Sequence, residues 1–210
     1  MGTFIDFEKP FWQKNKLVAG IDEVGRGCLA GPVVAAAVVL PLNFLNEAGI
    51  NDSKQVTENK RLELSKIIDN QAKSITIHQL DNFEIDKLNI RIATLQCMQN
   101  AVDSLTVPIE HAFIDGNYFV HDTIMFTTVI KGDAICLSIA AASIIAKVWR
   151  DSWMQTVAHT SYPEYGFDKH KGYATQQHLR ALEKFGPCEL HRKTFLRKFH
   201  ERQLSLFTKE

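Results

Sequence analysis

Residues Val18 to Leu40 read VAGIDEVGRGCLAGPVVAAAVVL, and the fold turns on how this stretch is interpreted. An apolar run ends in two adjacent carboxylates, Asp22 and Glu23. It then passes through Gly25-Arg26-Gly27 before a second apolar run starts beyond Gly31-Pro32. The pattern predicts a buried strand over Leu17 to Val24, a tight loop, and a second buried strand over Val33 to Leu40, spaced closely enough to pair antiparallel. Two acids at the mouth of an apolar strand are costly to desolvate unless a cation neutralises them, and a metal ion is the usual solution. The alternative reading of the stretch alone is a strand that ends in solvent, with Asp22 and Glu23 as ordinary surface acids.

Working outward, Asn51-Asp52-Ser53-Lys54 reads as a polar turn, and Thr57 as the N-cap of a helix from Glu58 to Asn70. Ser74 to Leu80 alternates apolar and polar residues, as a half-exposed strand does. Asp86 to Leu105 carries apolar residues at helical spacing and predicts one long core-packing helix. Two further apolar runs each lead into an acid: His111 to Ile114 into Asp115-Gly116-Asn117, and Thr123 to Ile130 into Lys131-Gly132-Asp133. Ser138 to Asp151 predicts a small-residue helix whose alanines permit close approach to a sheet, and a helical appendage is expected from about Thr175. The alternation argues for one α/β domain with a mixed five-stranded sheet over residues 1–202, followed by a tail over 203–210.

The chain has 210 residues, 45% hydrophobic and 23% charged, which places it with globular proteins. The apolar run Val33 to Leu40 is far short of the ~20 residues a membrane helix needs. The N-terminal MGTFIDFEKPFWQKNK has early acids and no apolar h-region, so a cytoplasmic protein is expected. Cys28, Cys97, Cys136 and Cys188 show no paired spacing, which indicates neither a zinc site nor a disulfide framework. Formal net charge is zero but unevenly spread. From Gly166 to Arg202 nine Lys or Arg stand against four acids, leaving the remainder of the chain net acidic. A polyanion-binding face beside an acidic metal-binding face has this profile, and so does a solvated basic helix.

In open α/β sheets, functional groups gather at the carboxyl ends of neighbouring strands, so Asp22, Glu23, Asp115 and Asp133 are candidates to converge. Carboxylate oxygens form a hard-cation site suited to Mg²⁺ or Mn²⁺ and unsuited to zinc. Two such ions can stabilise both the attacking and the leaving oxygen of phosphodiester hydrolysis. One geometric obstacle arises, because adjacent strand residues point to opposite faces. Either the strand twists out at Val24-Gly25, or one of the Asp22–Glu23 pair works from the rim.

Five segments in order resemble bacterial ribonuclease HII: GIDEVGRGCLAGPVVAAAVVL, the DSK of Asp52 to Lys54, FIDGN at Phe113 to Asn117, KGDAICLSIAAASIIAKVWRD at Lys131 to Asp151, and YPEYGFDKHKGYATQQHLRALEKFGPCELHRKTF at Tyr162 to Phe195. The resemblance implies an RNase H-like fold and endonucleolytic hydrolysis of RNA in RNA–DNA hybrids. It also implies cleavage on the 5′ side of a single ribonucleotide embedded in duplex DNA. By position, the family's four acids fall on Asp22, Glu23, Asp115 and Asp133. Its GRG element falls on Gly25, Arg26 and Gly27, where it reads a ribose 2′-OH largely through the backbone, an approach that side-chain-free residues permit. The resemblance further gives Tyr173 a stacking role at the ribose next to the RNA–DNA junction and Lys54 a phosphate contact; core packing is the other reading of Tyr173. Asp151 is set aside as an ion-pair or helix-end acid. The related ribonuclease HIII class has a Thr where this chain has Arg26, and an added N-terminal domain.

The segment Gln203-Leu204-Ser205-Leu206-Phe207 resembles the pentapeptide by which bacterial replication proteins dock on the sliding clamp. Leu204, Leu206 and Phe207 would fill an apolar pocket there; the alternative is a last helical turn folded onto the body. The expected enzyme is a monomer whose 2′-OH is recognised and not consumed, so its products carry 5′-phosphate and 3′-OH ends. Two other readings stay open at this point: a DNA-cutting nuclease or transposase-like member of the same fold, and a non-catalytic nucleic-acid or clamp-binding adaptor.

Overall fold

The computed structural model describes residues 6–51, 53 and 56–197. Five strands form one sheet: β1 (Val18–Val24), β2 (Val33–Val39), β3 (Ser74–Leu80), β4 (His111–Asp115) and β5 (Phe126–Val129), in the order β3-β2-β1-β4-β5. β1 pairs antiparallel with β2 and parallel with β4, and β4 pairs parallel with β5, so the sheet is mixed as the alternation implied. The helices are α1 (Lys9–Trp12), α2 (Glu58–Gln71), α3 (Asn82–Leu88), α4 (Ile90–Asp103), α5 (Leu137–Trp153), α6 (His159–Ser161), α7 (Phe167–His170) and α8 (Gln176–Phe185). None of the described helices is long and apolar enough to cross a membrane.

The chain divides into two compact units built from interleaved segments. The first comprises Met1–Val24, Val34–Gln79 and Thr94–Trp149; the second comprises Gly25–Val33, Leu80–Ala93 and Arg150–Glu210. The expected helical appendage from residue 175 therefore belongs to a larger second unit that also takes in the glycine loop after β1.

Every residue of β2 is buried, which suits the unbroken VVAAAVV run. Ala140, Ala141, Ala142 and Ala146 of α5 pack with Ala36 and Val38 of β2 in a core shared with Leu64 and Ile68 of α2. Helix and sheet approach closely at Gly20, where an added Cβ would overlap the Ser138 backbone. The N-terminus of α5 is held by Glu8, which is fully buried and accepts hydrogen bonds from Ser138 N (2.8 Å), Ser138 Oγ (2.7 Å) and Cys136 Sγ (3.2 Å). An acid at a helix N-terminus meets both the orphan N–H groups and the positive end of the dipole. The second unit has its own core of Met154, Ala158, Tyr165, Phe167, Ala181, Leu182 and Leu196.

Two local readings of the sequence are corrected. The single helix expected over Asp86 to Leu105 is two helices, α3 and α4, separated by Asn89 at φ 69° and ψ 159°. Asp81 and Glu84 form a capping box that starts α3 early, and Asn89 Oδ1 then accepts from the N–H groups of Arg91 (3.0 Å) and Ile92 (3.2 Å), which starts a second helix. The strand expected from Thr123 begins only at Phe126, because His121 Nδ1 accepts from Thr123 N and Ile124 N and ties the intervening residues into a turn.

Candidate active site

The acids of the first unit are assembled by strand register. The β1–β4 pairs run from Val18 with His111 to Ile21 with Ile114, and one further step of that offset sets Asp22 beside Asp115. Asp22, Glu23 and Asp115 each offer a carboxylate oxygen within 4.8 Å of the others. β1 does not twist out to achieve this: Glu23 and Val24 remain paired with Ala35 and Val34 of β2. Instead Asp22 Oδ1 folds back to accept the N–H of Glu23 at 2.7 Å, and half-buried Glu23 reaches in from the rim.

Asp133 is not at a strand end. It is buried in a 3₁₀ turn, Gly132–Ala134, entered through Lys131 in the left-handed conformation. The N–H of Gly132 donates to Asp115 Oδ1 at 2.7 Å, which ties the turn bearing Asp133 to the third acid of the cluster.

Asp22 is only 5% exposed. Burial, then the charges of Glu23 and Asp115, hold its carboxyl well above the usual carboxylate range, while hydrogen bonds from Ser143 and the Glu23 backbone pull the other way. Ser143 lies on α5, and its hydroxyl also shares a hydrogen bond of 2.9 Å with buried Ser53. Neither serine was singled out as a site residue, although Ser53 lies in the DSK segment and Ser143 is a hydroxyl among the alanines of α5. An all-oxygen set of crowded carboxylates fits a hard divalent cation and offers no sulfur or imidazole for a softer one.

The second unit carries the glycine loop. Arg26 and Gly27 are exposed, and Gly25 is buried at φ +92°. A Cβ at Gly25 would lie 2.2 Å from Arg150 Nε, so both conformation and space demand glycine there. At Gly27, by contrast, a Cβ would meet nothing within 4 Å. Two fully buried arginines hold the loop by its carbonyls. Arg150 donates to Pro32 O (2.9 Å), Ala30 O (3.2 Å) and Lys171 O (2.9 Å). Arg192 donates to Gly25 O (2.7 Å), Arg26 O (2.9 Å) and Gly31 O (3.0 and 2.9 Å). Neither arginine was foreseen as part of a site: Arg192 was counted among the basic residues of Gly166 to Arg202, and Arg150 fell within the small-residue helix.

Tyr173 is 38% exposed, with its ring centroid 5.9 Å from the Arg150 guanidinium carbon. Its backbone is pinned on both sides: Tyr173 N donates to His170 O (2.9 Å), and His178 Nδ1 donates to Tyr173 O (2.9 Å). His178 in turn accepts at Nε2 from His191 Nε2 (3.0 Å), whose Nδ1 accepts the N–H of Cys188 (2.9 Å). Burial pushes both imidazoles down to about 4, so the relay is neutral. Of the basic residues from Gly166 onward, Lys171 and Arg192 point inward, and Arg180 and Lys184 face solvent. Asp151 is buried within α5, and its charge bears on Tyr173. Lys54, and the clamp-like Gln203, Leu204, Leu206 and Phe207, lie outside the described residues.

Residues 19–200 match the family described as Ribonuclease HII. The chain belongs to that family. Ribonuclease HII of Bacteroides thetaiotaomicron is 48% identical over 187 residues, covering 89% of this chain and 92% of the relative. The structure of ribonuclease H2 from Pyrococcus horikoshii superposes with a TM-score of 0.75 at 25% identity, covering 92% of this chain and all of that one. The ribonuclease HII of Archaeoglobus fulgidus, solved as a PCNA complex, shares the fold at a TM-score of 0.67 and 24% identity over 84% of this chain and 94% of its own. As a ribonuclease HII, the chain is a metal-dependent ribonuclease H of type 2, from a family that cleaves RNA in RNA–DNA hybrids.

Proposed function

We propose that the chain also cuts on the 5′ side of a single ribonucleotide embedded in duplex DNA, using Asp22, Glu23, Asp115 and Asp133 to hold Mg²⁺ or Mn²⁺. The observation that carries this reading is the convergence of three carboxylates within 4.8 Å, with the turn of Asp133 bonded to one of them. Cations held there supply Lewis acidity for water attack and for charge on the departing 3′-oxygen, with two ions sharing the work. The protein's own part is to fix the carboxylates. The Glu23 N–H and Ser143 orient Asp22, and the Gly132 N–H orients Asp115.

Gly25, Arg26 and Gly27 read the ribose 2′-OH through backbone groups, and Tyr173 stacks beside it. Gly27 supports this reading, since neither packing nor conformation explains a glycine at an exposed position with open space over it. Lys54 contacts a backbone phosphate, and residues 203–207 dock the enzyme on the sliding clamp in the cytoplasm. Because the 2′-OH is recognised and not consumed, the products carry 5′-phosphate and 3′-OH ends.

The test is incubation with an all-DNA duplex, an RNA–DNA hybrid and a duplex carrying one ribonucleotide, with and without chelator, followed by end analysis. Cleavage of the last two, abolished by chelator, is expected. Products ending in 2′,3′-cyclic phosphate would refute the mechanism, and cutting of all-DNA duplex would favour the transposase-like alternative. Unchanged clamp affinity after deletion of residues 203–210 would remove the docking role.

A further inference from the structure

Arg192 lies far from the glycine loop in sequence yet spends its guanidinium on that loop. It is fully buried, and its four described hydrogen bonds all end on backbone carbonyls, those of Gly25, Arg26 and Gly31. In a planar trans peptide the N–H points opposite to the C=O. The Gly25 carbonyl shares its peptide with the Arg26 N–H, and the Arg26 carbonyl shares its peptide with the Gly27 N–H. Drawing both carbonyls onto one buried cation therefore turns two consecutive N–H groups away from it, at the two residues of the loop that are exposed. The turn is closed by Cys28 N donating to Gly25 O at 3.3 Å.

We infer that Arg192 is a positioning residue for ribose recognition: by holding the Gly25 and Arg26 carbonyls inward, its guanidinium aims the N–H groups of Arg26 and Gly27 at the ribose 2′-OH. The inference rests on the loop reading proposed above and adds the device that sets it. A planar fork serves this purpose because several donors in fixed directions bridge several carbonyls at once; an ammonium is a point charge with no such geometry. Phe195, 5.2 Å from the guanidinium carbon, backs the fork with its ring.

The experiment is fluorescence anisotropy of the full chain, in chelator, with two duplexes of one sequence, one all-DNA and one carrying a single ribonucleotide. The wild type should prefer the ribonucleotide duplex on the order of tenfold, the worth of one or two hydrogen bonds. Arg192→Lys conserves charge, so its affinity for the all-DNA duplex should stay within about twofold, while the preference falls to about twofold or less. A folded Arg192→Lys protein that keeps the full preference would overturn the inference. A wild type without preference would overturn the loop reading itself. Should Arg192→Lys not fold, Phe195→Leu decides: it leaves the guanidinium in place but unsupported. A preference reduced by about twofold or more, as loss of a cation–π contact predicts, supports the inference, and an unchanged one ends it.

Discussion

The two units of this protein bury charge in opposite ways. The first gathers carboxylates: Asp22 is nearly inaccessible, and Glu23 and Asp115 add to the penalty on its ionised form. The second buries guanidinium groups, Arg150 and Arg192, and each described hydrogen bond they make ends on a carbonyl dipole. A buried cation ringed by carbonyls is satisfied within the fold. Crowded carboxylates need a cation from outside. The contrast separates carboxylates crowded closely enough to suit a hard cation from guanidinium groups satisfied by the protein's own carbonyls.

The largest effect should come from the acids. Asp22→Asn and Asp133→Asn are each expected to lower single-turnover cleavage by at least about 10³-fold while sparing duplex binding, the pattern of an interaction needed only in the reacting complex. Full activity in Asp133→Asn would remove that residue from the site. For Asp22 the metal-free protein offers a second readout. Its carboxyl is raised in the fold, so the stability of the protonated form is lost as pH rises through the folded value. Asp22→Asn removes that loss and should raise the chelator-treated melting temperature at neutral pH by roughly 2–4 °C, the effect of about 1 kcal/mol in a chain of this size. A lower melting temperature would break the comparison.

Glu8 sharpens the contrast from within the first unit, because it is an equally buried carboxyl whose Oε1 is met by three donors. Glu8→Ala should destabilise by about 1–3 kcal/mol in urea unfolding, opposite in sign to Asp22→Asn. Gly27→Ala probes the second unit: ribonucleotide preference should fall several-fold, with stability unchanged or raised by about 0.4–1 kcal/mol as the unfolded chain loses freedom. The smallest effect concerns the imidazole relay. His178 and His191 are lowered from an ordinary 6.5 to about 4, so the unfolded chain takes up protons first. Their contribution is complete above about pH 6.5 and declines as pH falls towards 4. His191→Gln should flatten that part of the stability profile.

Much of this was legible in the residues. Buried strands announce themselves as unbroken Val and Ala runs, and acids at their ends marked Asp22, Glu23 and Asp115. The position of Asp133 was readable as part of a motif but not as a 3₁₀ turn, because β5 stops earlier than its apolar run. The break at Asn89 was missed because helical periodicity continues across it, whereas the capping groups that start the second helix are polar and local. Ser143, Arg150 and Arg192 were hidden for another reason. What each does depends on partners more than a hundred residues away, and no local pattern encodes such distant pairings.

The parallel register of β1 and β4 also governs how the chain tolerates changes in length. Residues added to or removed from the connections between these strands leave Ile21 opposite Ile114, so the acids stay adjacent. A single residue inserted inside β4 reverses the face to which Asp115 projects and dismantles the cluster while leaving the composition of the protein almost untouched. The pleat therefore makes the phase of these two strands a separate requirement from the length of the segments that join them.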